Sequence, residues 1–181
     1  MERFDIVDEH GIPTGETVDR ETAHAQGIRH RTSHVWIARK RDDRVELLLQ
    51  QRSFDKDSHP GCYDISSAGH IPAGVDFVPS ALRELEEELG VHAQASELIL
   101  CGQRVFTLDA VFHGKPFHDN QVSNIYLLWR DCEEQDFVLQ QSEVASVRWM
   151  PFDECLRGVL ENRFAHCIYP EELYLLQKHF G

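Results

Sequence analysis

No stretch of the 181 residues is apolar for long enough to cross a bilayer, and the polar N-terminus has no signal-peptide pattern. No membrane partner is expected. The five cysteines, Cys62, Cys101, Cys132, Cys155 and Cys167, are odd in number and never spaced as C-x-x-C, which points to reduced thiols in a cytosolic protein. Basic residues are few. With 18 Lys and Arg against 31 Asp and Glu, the net charge is −13, and a surface for a nucleic acid polymer is excluded. Small phosphorylated ligands stay open, because bound cations can invert a local field. Repeats, low-complexity tracts and linkers are absent as well, so the 41% hydrophobic content is read as one core and residues 1–181 as one domain.

The most informative stretch is residues 69–91, G-H-I-P-A-G-V-D-F-V-P-S-A-L-R-E-L-E-E-E-L-G-V. Asp76 can cap a helix that tolerates Pro79 in its first turn and stops at Gly90. At about 100° per residue, Val78, Leu82, Leu85 and Leu89 form a stripe facing the core. Glu84, Glu87 and Glu88, spaced i, i+3, i+4, fall on a different arc where three carboxylates can converge on a divalent cation. An isolated E-x-x-E-E is more often a solvated acidic face. Here an Arg and a loop carrying Gly69, Pro72 and Gly74 precede the acids, and a Gly follows them.

That arrangement resembles the Nudix box, G-x(5)-E-x(7)-R-E-U-x-E-E-x-G-U with U aliphatic. Gly69, Arg83, Glu84, Leu85, Glu87, Glu88, Gly90 and Val91 match, and Val75 replaces the first Glu, so eight of nine specified positions are present. The resemblance implies an α/β/α sandwich with a mixed β-sheet. It also implies a Mg²⁺-dependent (or Mn²⁺-dependent) diphosphate hydrolase, with Glu84, Glu87, Glu88 and the Gly69 carbonyl as metal ligands and Arg83 orienting the neighbouring Glu. Val75 removes a partner for Arg83 or an outer ligand, and Asp76 is occupied by its capping role. A homodimer is in keeping with the family.

Residues 1–29 are expected as an N-terminal extension: a strand over residues 3–8, a turn through E-H-G-I-P-T-G, then a short helix between Asp19 and Gly27. This segment resembles an isopentenyl-diphosphate-isomerase-like branch of the family, with its D-E-x-G and H-R-T-x-H. Strands are expected at 31–39 and 45–51, joined by a charged hairpin, and at 63–68, 96–106, 122–130 and 143–150. A polar loop is expected at 112–121 and a terminal helix from Pro170, with Leu173, Leu176 and Phe180 inward. Arg52 and Lys56 lie in a polar loop where such residues are usually solvated. In the isomerase-like branch the matching positions contact the substrate diphosphate, which makes them the candidate phosphate binders.

The isomerase itself is weighed on the same residues. Its chemistry needs an acid and a base on opposite faces of an allylic carbon; at the matching positions this chain has Ala68, and Asp119 and Gln121 where two Glu residues belong. Neither Ala nor Gln exchanges protons at the required pKa. His34 and His70 match two metal-binding histidines of the isomerase, with hydrogen-bonded strand-end histidines as the plainer reading. Hydrolysis instead requires cations and Arg or Lys where charge grows on the diphosphate oxygens. Two carboxylates about 4 Å apart repel by about 4 kcal/mol at an effective dielectric near 20, which a bound cation relieves. Glu84 and Glu143 compete as the general base. The expected substrate is a small-molecule nucleoside diphosphate or a derivative of one, and a non-catalytic nucleotide sensor is the alternative from another class.

Overall fold

The computed structural model describes residues 1–181. A seven-stranded mixed sheet occupies the middle, ordered β5-β4-β3-β8-β7 with β6 (Ser67–His70) also on β3 and β9 (Val144–Pro151) on β4. Its centre is β3 (His30–Arg41), which runs parallel to β8 (Lys115–Trp129) and antiparallel to β4 (Arg44–Arg52) and β6. The edge strands are β7 (Ile99–Phe112) and β9, and the short β5 (Tyr63–Asp64) pairs with β4 on the side opposite β9.

Both faces of the sheet are covered, so its central strands read as apolar runs instead of alternating. Val35 and Ile37 of β3, Leu48 of β4 and Leu128 of β8 pack under α2 (Phe77–Leu89) through Ala81, Leu85 and Leu89. The alternate residues Trp36, Ala38, Leu47, Leu49, Ile125 and Leu127 face the other way. They meet Cys155 and Val159 of α3 (Phe152–Leu160) and Leu173 and Leu176 of α4 (Pro170–Gln177). The expected α/β/α arrangement is observed, and Phe180 packs against this second core as expected.

Before the sheet come β1 (Arg3–Val7), β2 (Pro13–Asp19) and α1 (Arg20–Gln26). Asp19 caps α1 by accepting from the Thr22 amide at 2.8 Å, and Gly27 ends it with φ of 67°. Helix α2 follows the same logic: Asp76 caps it, and Gly90 closes it in the left-handed region.

Four expectations need correction. The turn expected through E-H-G-I-P-T-G ends early, because β2 begins at Pro13; its exposed residues carry no apolar alternation from which a strand is read. The single strand expected at 63–68 is two strands on different partners. Between them Ser66 accepts from the Ile37 amide at 2.8 Å and donates to the Leu48 carbonyl, joining β3 and β4 with its side chain. The polar loop at 112–121 is a long hairpin. His113 and Gly114, with φ of 51° and 74°, turn β7 into β8, and backbone pairing continues from Phe112↔Lys115 inward without need of an apolar pattern. On α2, Leu85 and Leu89 are fully buried, whereas Val78 and Leu82 are only half-buried and Ala81 takes the deeper place.

Leu85 is enclosed between helix and sheet, so Leu85→Ala is expected to lower unfolding free energy by about 2–5 kcal/mol. A urea titration monitored by circular dichroism checks this; a shift below about 0.5 kcal/mol, typical of surface changes, would contradict the packing described.

Candidate active site

Helix α2 presents its acids to the sheet at the strand β6, and a glycine sets the distance. A Cβ built on Gly69 would stand 2.4 Å from Cδ of Glu84. Only a residue without a side chain lets the Glu84 carboxyl lie against that backbone. Glu84 is 16% exposed, and burial raises its pKa against the lowering effect of Arg83, whose Nη2 donates to Glu84 Oε1 at 2.9 Å.

Glu88 sits deeper, 7% exposed, contrary to an acidic arc separate from the buried face. Its Oε2 accepts from Nε2 of Gln50 on β4 at 2.8 Å, which accounts for a carboxylate on the inner side of the helix. Burial pushes its pKa up to about 8, and Glu84, Glu143 and Asp64 add to the rise, so these acids share one electrostatic neighbourhood. Glu87 is 54% exposed at the rim, with its Oε1 3.8 Å from Nε of Arg83. Arg83 therefore lies between Glu84 and Glu87, and the three glutamates do not form a closed set of mutually close oxygens, whereas ring nitrogens of His24, His30 and His70 lie within 4.8 Å of one another.

At the substituted box position, the backbone carbonyl of Val75 accepts from Nη2 of buried Arg31 at 2.8 Å, and the same guanidinium holds Asp5 at 2.9 Å. No carboxylate reaches Arg83 from this loop, and Arg83 Nε is buried without a hydrogen-bond partner. Asp76 does not compensate, since its Oδ1 caps Phe77 at 2.8 Å.

Arg52 and Lys56 arrive from the end of β4 and the loop after it. Arg52 donates to Asp64 Oδ2 at 3.1 Å and to the Ser58 carbonyl at 3.0 and 3.1 Å, so its fork is occupied by protein groups. Lys56 pairs with the carboxylate of Glu143, and the Ser53 amide donates to the Glu143 carbonyl at 2.9 Å. Glu143 thus stands beside the candidate phosphate-binding loop while contributing to the field at Glu88. The contacts of Gln50 and Asp64 with these groups were not anticipated. Their only sequence signal is position: Gln50 precedes the Q-R pair, and Asp64 lies in the stretch 63–68 expected to lead into Gly69.

The two histidines matched to the isomerase have different partners, His70 lying with His24 and His30. His34 Nδ1 is bonded to Glu172 Oε1 at 2.7 Å, beside Trp36 Nε1 and Arg104 Nη1 on the same carboxylate, the plainer reading of a hydrogen-bonded histidine. Glu172 is fully buried yet its pKa is lowered, because His34, Arg104 and Trp36 outweigh desolvation. Gln121 is committed to Asp119 Oδ2 at 2.5 Å and to Thr32 Oγ1 at 3.2 Å.

The raised Glu88 pKa has a consequence for stability. The folded state holds a proton that the unfolded carboxyl releases near its ordinary value of 4.5, so this contribution is complete below pH 4.5 and is lost as pH rises through about 8. Metal-free protein is expected to lose stability across that window, with a slope of at most about 1.4 kcal/mol per pH unit. Urea unfolding at several pH values checks this against Glu88→Gln; an equal slope in both proteins contradicts the assignment.

Comparison with known proteins places this geometry in context. A family model described as the NUDIX domain matches residues 29–169. The chain is 42% identical over 157 residues to Nudix hydrolase 3 of Arabidopsis thaliana, a match covering 84% of this chain but 20% of that relative's length. An uncharacterised Nudix hydrolase of Clostridium acetobutylicum is 33% identical over 162 residues, covering 90% of this chain and 75% of the relative. Among solved structures, the NUDIX domain of Shewanella oneidensis NrtR complexed with ADP ribose superposes with a TM-score of 0.63 at 15% identity, covering 91% of this chain and 94% of that one.

Proposed function

Because the chain belongs to the Nudix hydrolase family, we propose that it hydrolyses a diphosphate linkage in a nucleoside diphosphate or a derivative, using Mg²⁺ or Mn²⁺ held by the α2 acids. The observation that carries this reading is Glu88: a carboxyl buried on the inner side of the helix, with Glu84 and Glu143 in its field and a pKa pushed up to about 8. Such a group is costly as an anion until a cation approaches, and an all-oxygen donor set suits a hard dication. Glu84, Glu87, Glu88 and the Gly69 carbonyl are the residues that would hold it. The ion, when bound, supplies a polarised diphosphate and water that is easier to deprotonate.

The side chains have separable tasks. Arg83 holds Glu84 by a charge-assisted hydrogen bond. Arg52 supplies a fork and Lys56 a point charge for phosphate oxygens, each exchanging a protein partner for the substrate. Engagement of Lys56 by phosphate would free the Glu143 carboxylate, leaving Glu143 and Glu84 as the two candidate bases for water. The solved relative that holds ADP ribose supports a nucleotide-derived substrate. A homodimer and a cytoplasmic location complete the proposal; no helix is long and apolar enough to cross a membrane.

Isopentenyl-diphosphate isomerisation is the weaker reading. Ala68 has no proton to exchange, and the Gln121 amide is occupied by Asp119 and Thr32. A nucleotide sensor is the other alternative, favoured by Val75 and by the unpartnered Nε of Arg83.

A panel of nucleoside diphosphates, sugar nucleotides and coenzyme diphosphates, assayed for product release with and without Mg²⁺, separates these readings. Glu87→Gln is expected to lower kcat by at least about a hundredfold, the scale for losing one group that stabilises developing charge, with little change in Tm because Glu87 is at the rim. Tight nucleotide binding without release by the wild type would establish the sensor instead.

A further inference from the structure

Between the end of β6 and the first turn of α2 runs a loop, residues 71–76, that belongs to no strand or helix. Pro72 has no amide to donate, and Gly74, with φ of 79°, turns the chain where a side chain would be strained. Of the amides from Ile71 to Val75, only that of Val75 stays within the loop, donating to the Pro72 carbonyl at 3.1 Å. The others are met from outside. Ile71 donates to the Arg31 carbonyl at 3.0 Å, Ala73 to the Arg3 carbonyl at 2.8 Å, and Gly74 to Oδ2 of Asp5 at 2.9 Å. Arg3 and Asp5 both lie on β1, so the N-terminal segment holds the loop that links Gly69 to the acidic helix.

Arg31, only 5% exposed, completes the hold. Its Nη2 carries two hydrogens and donates to both Asp5 Oδ2, at 2.9 Å, and the Val75 carbonyl, at 2.8 Å. One oxygen of Asp5 therefore receives a charged donor and a loop amide together. The start of the helix is gripped by the same neighbours: the Arg31 guanidinium stands 5.3 Å from the ring centroid of Phe77, and Ser33 Oγ donates to the Phe77 carbonyl at 2.8 Å. The turn after β1 closes on that ring too, since a Cβ on Gly11 would stand 3.2 Å from its Cζ. A buried ion pair adds little net stability, because desolvation offsets the attraction, but it fixes which groups meet. The apolar core of this segment is Phe4, Val18 and Ala23, none of them a member of the hydrogen-bonded set.

We infer that Asp5 and Arg31 are positioning residues for the site on α2: an ionic clamp, supplied by the N-terminal segment and β3, that sets the loop between Gly69 and the helix in a chain whose box has no carboxylate at position 75. The inference rests on the hydrolase reading above. One end of the loop is fixed by the sheet, where Gly69 pairs with Ser33. At the other end, Val75 offers only its backbone carbonyl, and Arg83 Nε is left without a partner, so the loop has no ionic tie of its own to the helix. The clamp provides one from outside. Because the Glu84 carboxyl lies directly against Gly69, a shift of the helix start alters the relation between two of the groups assigned to the metal. A misplacement of about 1 Å is enough to cost about a hundredfold in rate. Asp5 and Arg31 act through the loop, and their charges are occupied by each other.

The test uses the full chain and Mg²⁺ alone, titrated by calorimetry, with turnover as a second readout. Asp5→Asn keeps the size of the side chain and removes its charge. It is expected to weaken Mg²⁺ binding by about 10–100-fold, the range for losing a group that orients a ligand, and to lower kcat by a comparable factor. KM is expected to stay unchanged, because Arg52 and Lys56 belong to a different part of the chain. Val18→Ala loosens the same segment through its apolar core and is expected to lower Tm while leaving Mg²⁺ affinity and kcat at wild-type values. Should Asp5→Asn fail to fold, the wild type still decides the matter, since coupling between clamp and metal is mutual: saturating Mg²⁺ should slow hydrogen exchange at Ala73, Gly74 and residues 3–7. Wild-type Mg²⁺ affinity in a folded Asp5→Asn protein, an equal loss of affinity in Val18→Ala, or exchange at those amides indifferent to bound Mg²⁺ would each overturn the clamp while the hydrolase reading stands. A wild type that neither binds Mg²⁺ nor turns over any diphosphate overturns that reading, and the clamp with it.

Discussion

Glu84 rests against the backbone of Gly69 at a distance that no other residue at position 69 would allow. This contact determines how near α2 stands to β6, and so where every other acid of the helix falls. Gly69 pairs with Ser33 in the β3–β6 ladder, so the helix is docked on the strand that also organises both hydrophobic cores. Leu85, one residue after Glu84, takes up the core on the same turn. Packing energy holds the helix and the glycine brings the carboxylate in; neither alone produces the site.

The electrostatic character of the site follows from that docking. Glu88 is drawn under the helix and kept by Gln50, while Glu87 stays at the rim and Arg83 stands between it and Glu84. Three acids three or four residues apart therefore have unequal surroundings, with Glu88 raised most strongly by burial. The two candidate phosphate-binding cations are both engaged, Arg52 by Asp64 and Ser58, Lys56 by Glu143. The protein neutralises its own charges in pairs that a diphosphate and a hard cation are suited to displace.

A different kind of pairing governs the N-terminal segment. Its small apolar cluster stands on the imidazoles of His24, His30 and His70, and the carboxylate of Asp119 is carried there by the long β7–β8 hairpin. The same hairpin stacks Phe117 on His24 and contributes Gln121 to the support of Asp119. Strand β6 thus carries Gly69 against the Glu84 carboxyl and His70 in the histidine cluster.

Much of this was readable along the chain because it is local. Helix α2, with its Asp76 cap and Gly90 stop, depends on residues a turn apart, and the apolar runs of β3 and β4 depend on burial of both faces. The spacing of Glu84, Glu87 and Glu88 with Gly69 is likewise a property of the sequence alone. Tertiary structure decided the rest. The hairpin at 112–121 pairs through backbone groups that every residue carries, and Ser66 joins two strands by a side chain that leaves no periodic trace. His30 and His34 both belong to the H-R-T-x-H motif, yet His34 is turned toward Glu172, whereas His30 meets His24 and His70 only when α1, β3 and β6 are assembled. Periodicity reports which side of an element faces inward; which groups from distant elements meet there is determined by how the elements pack.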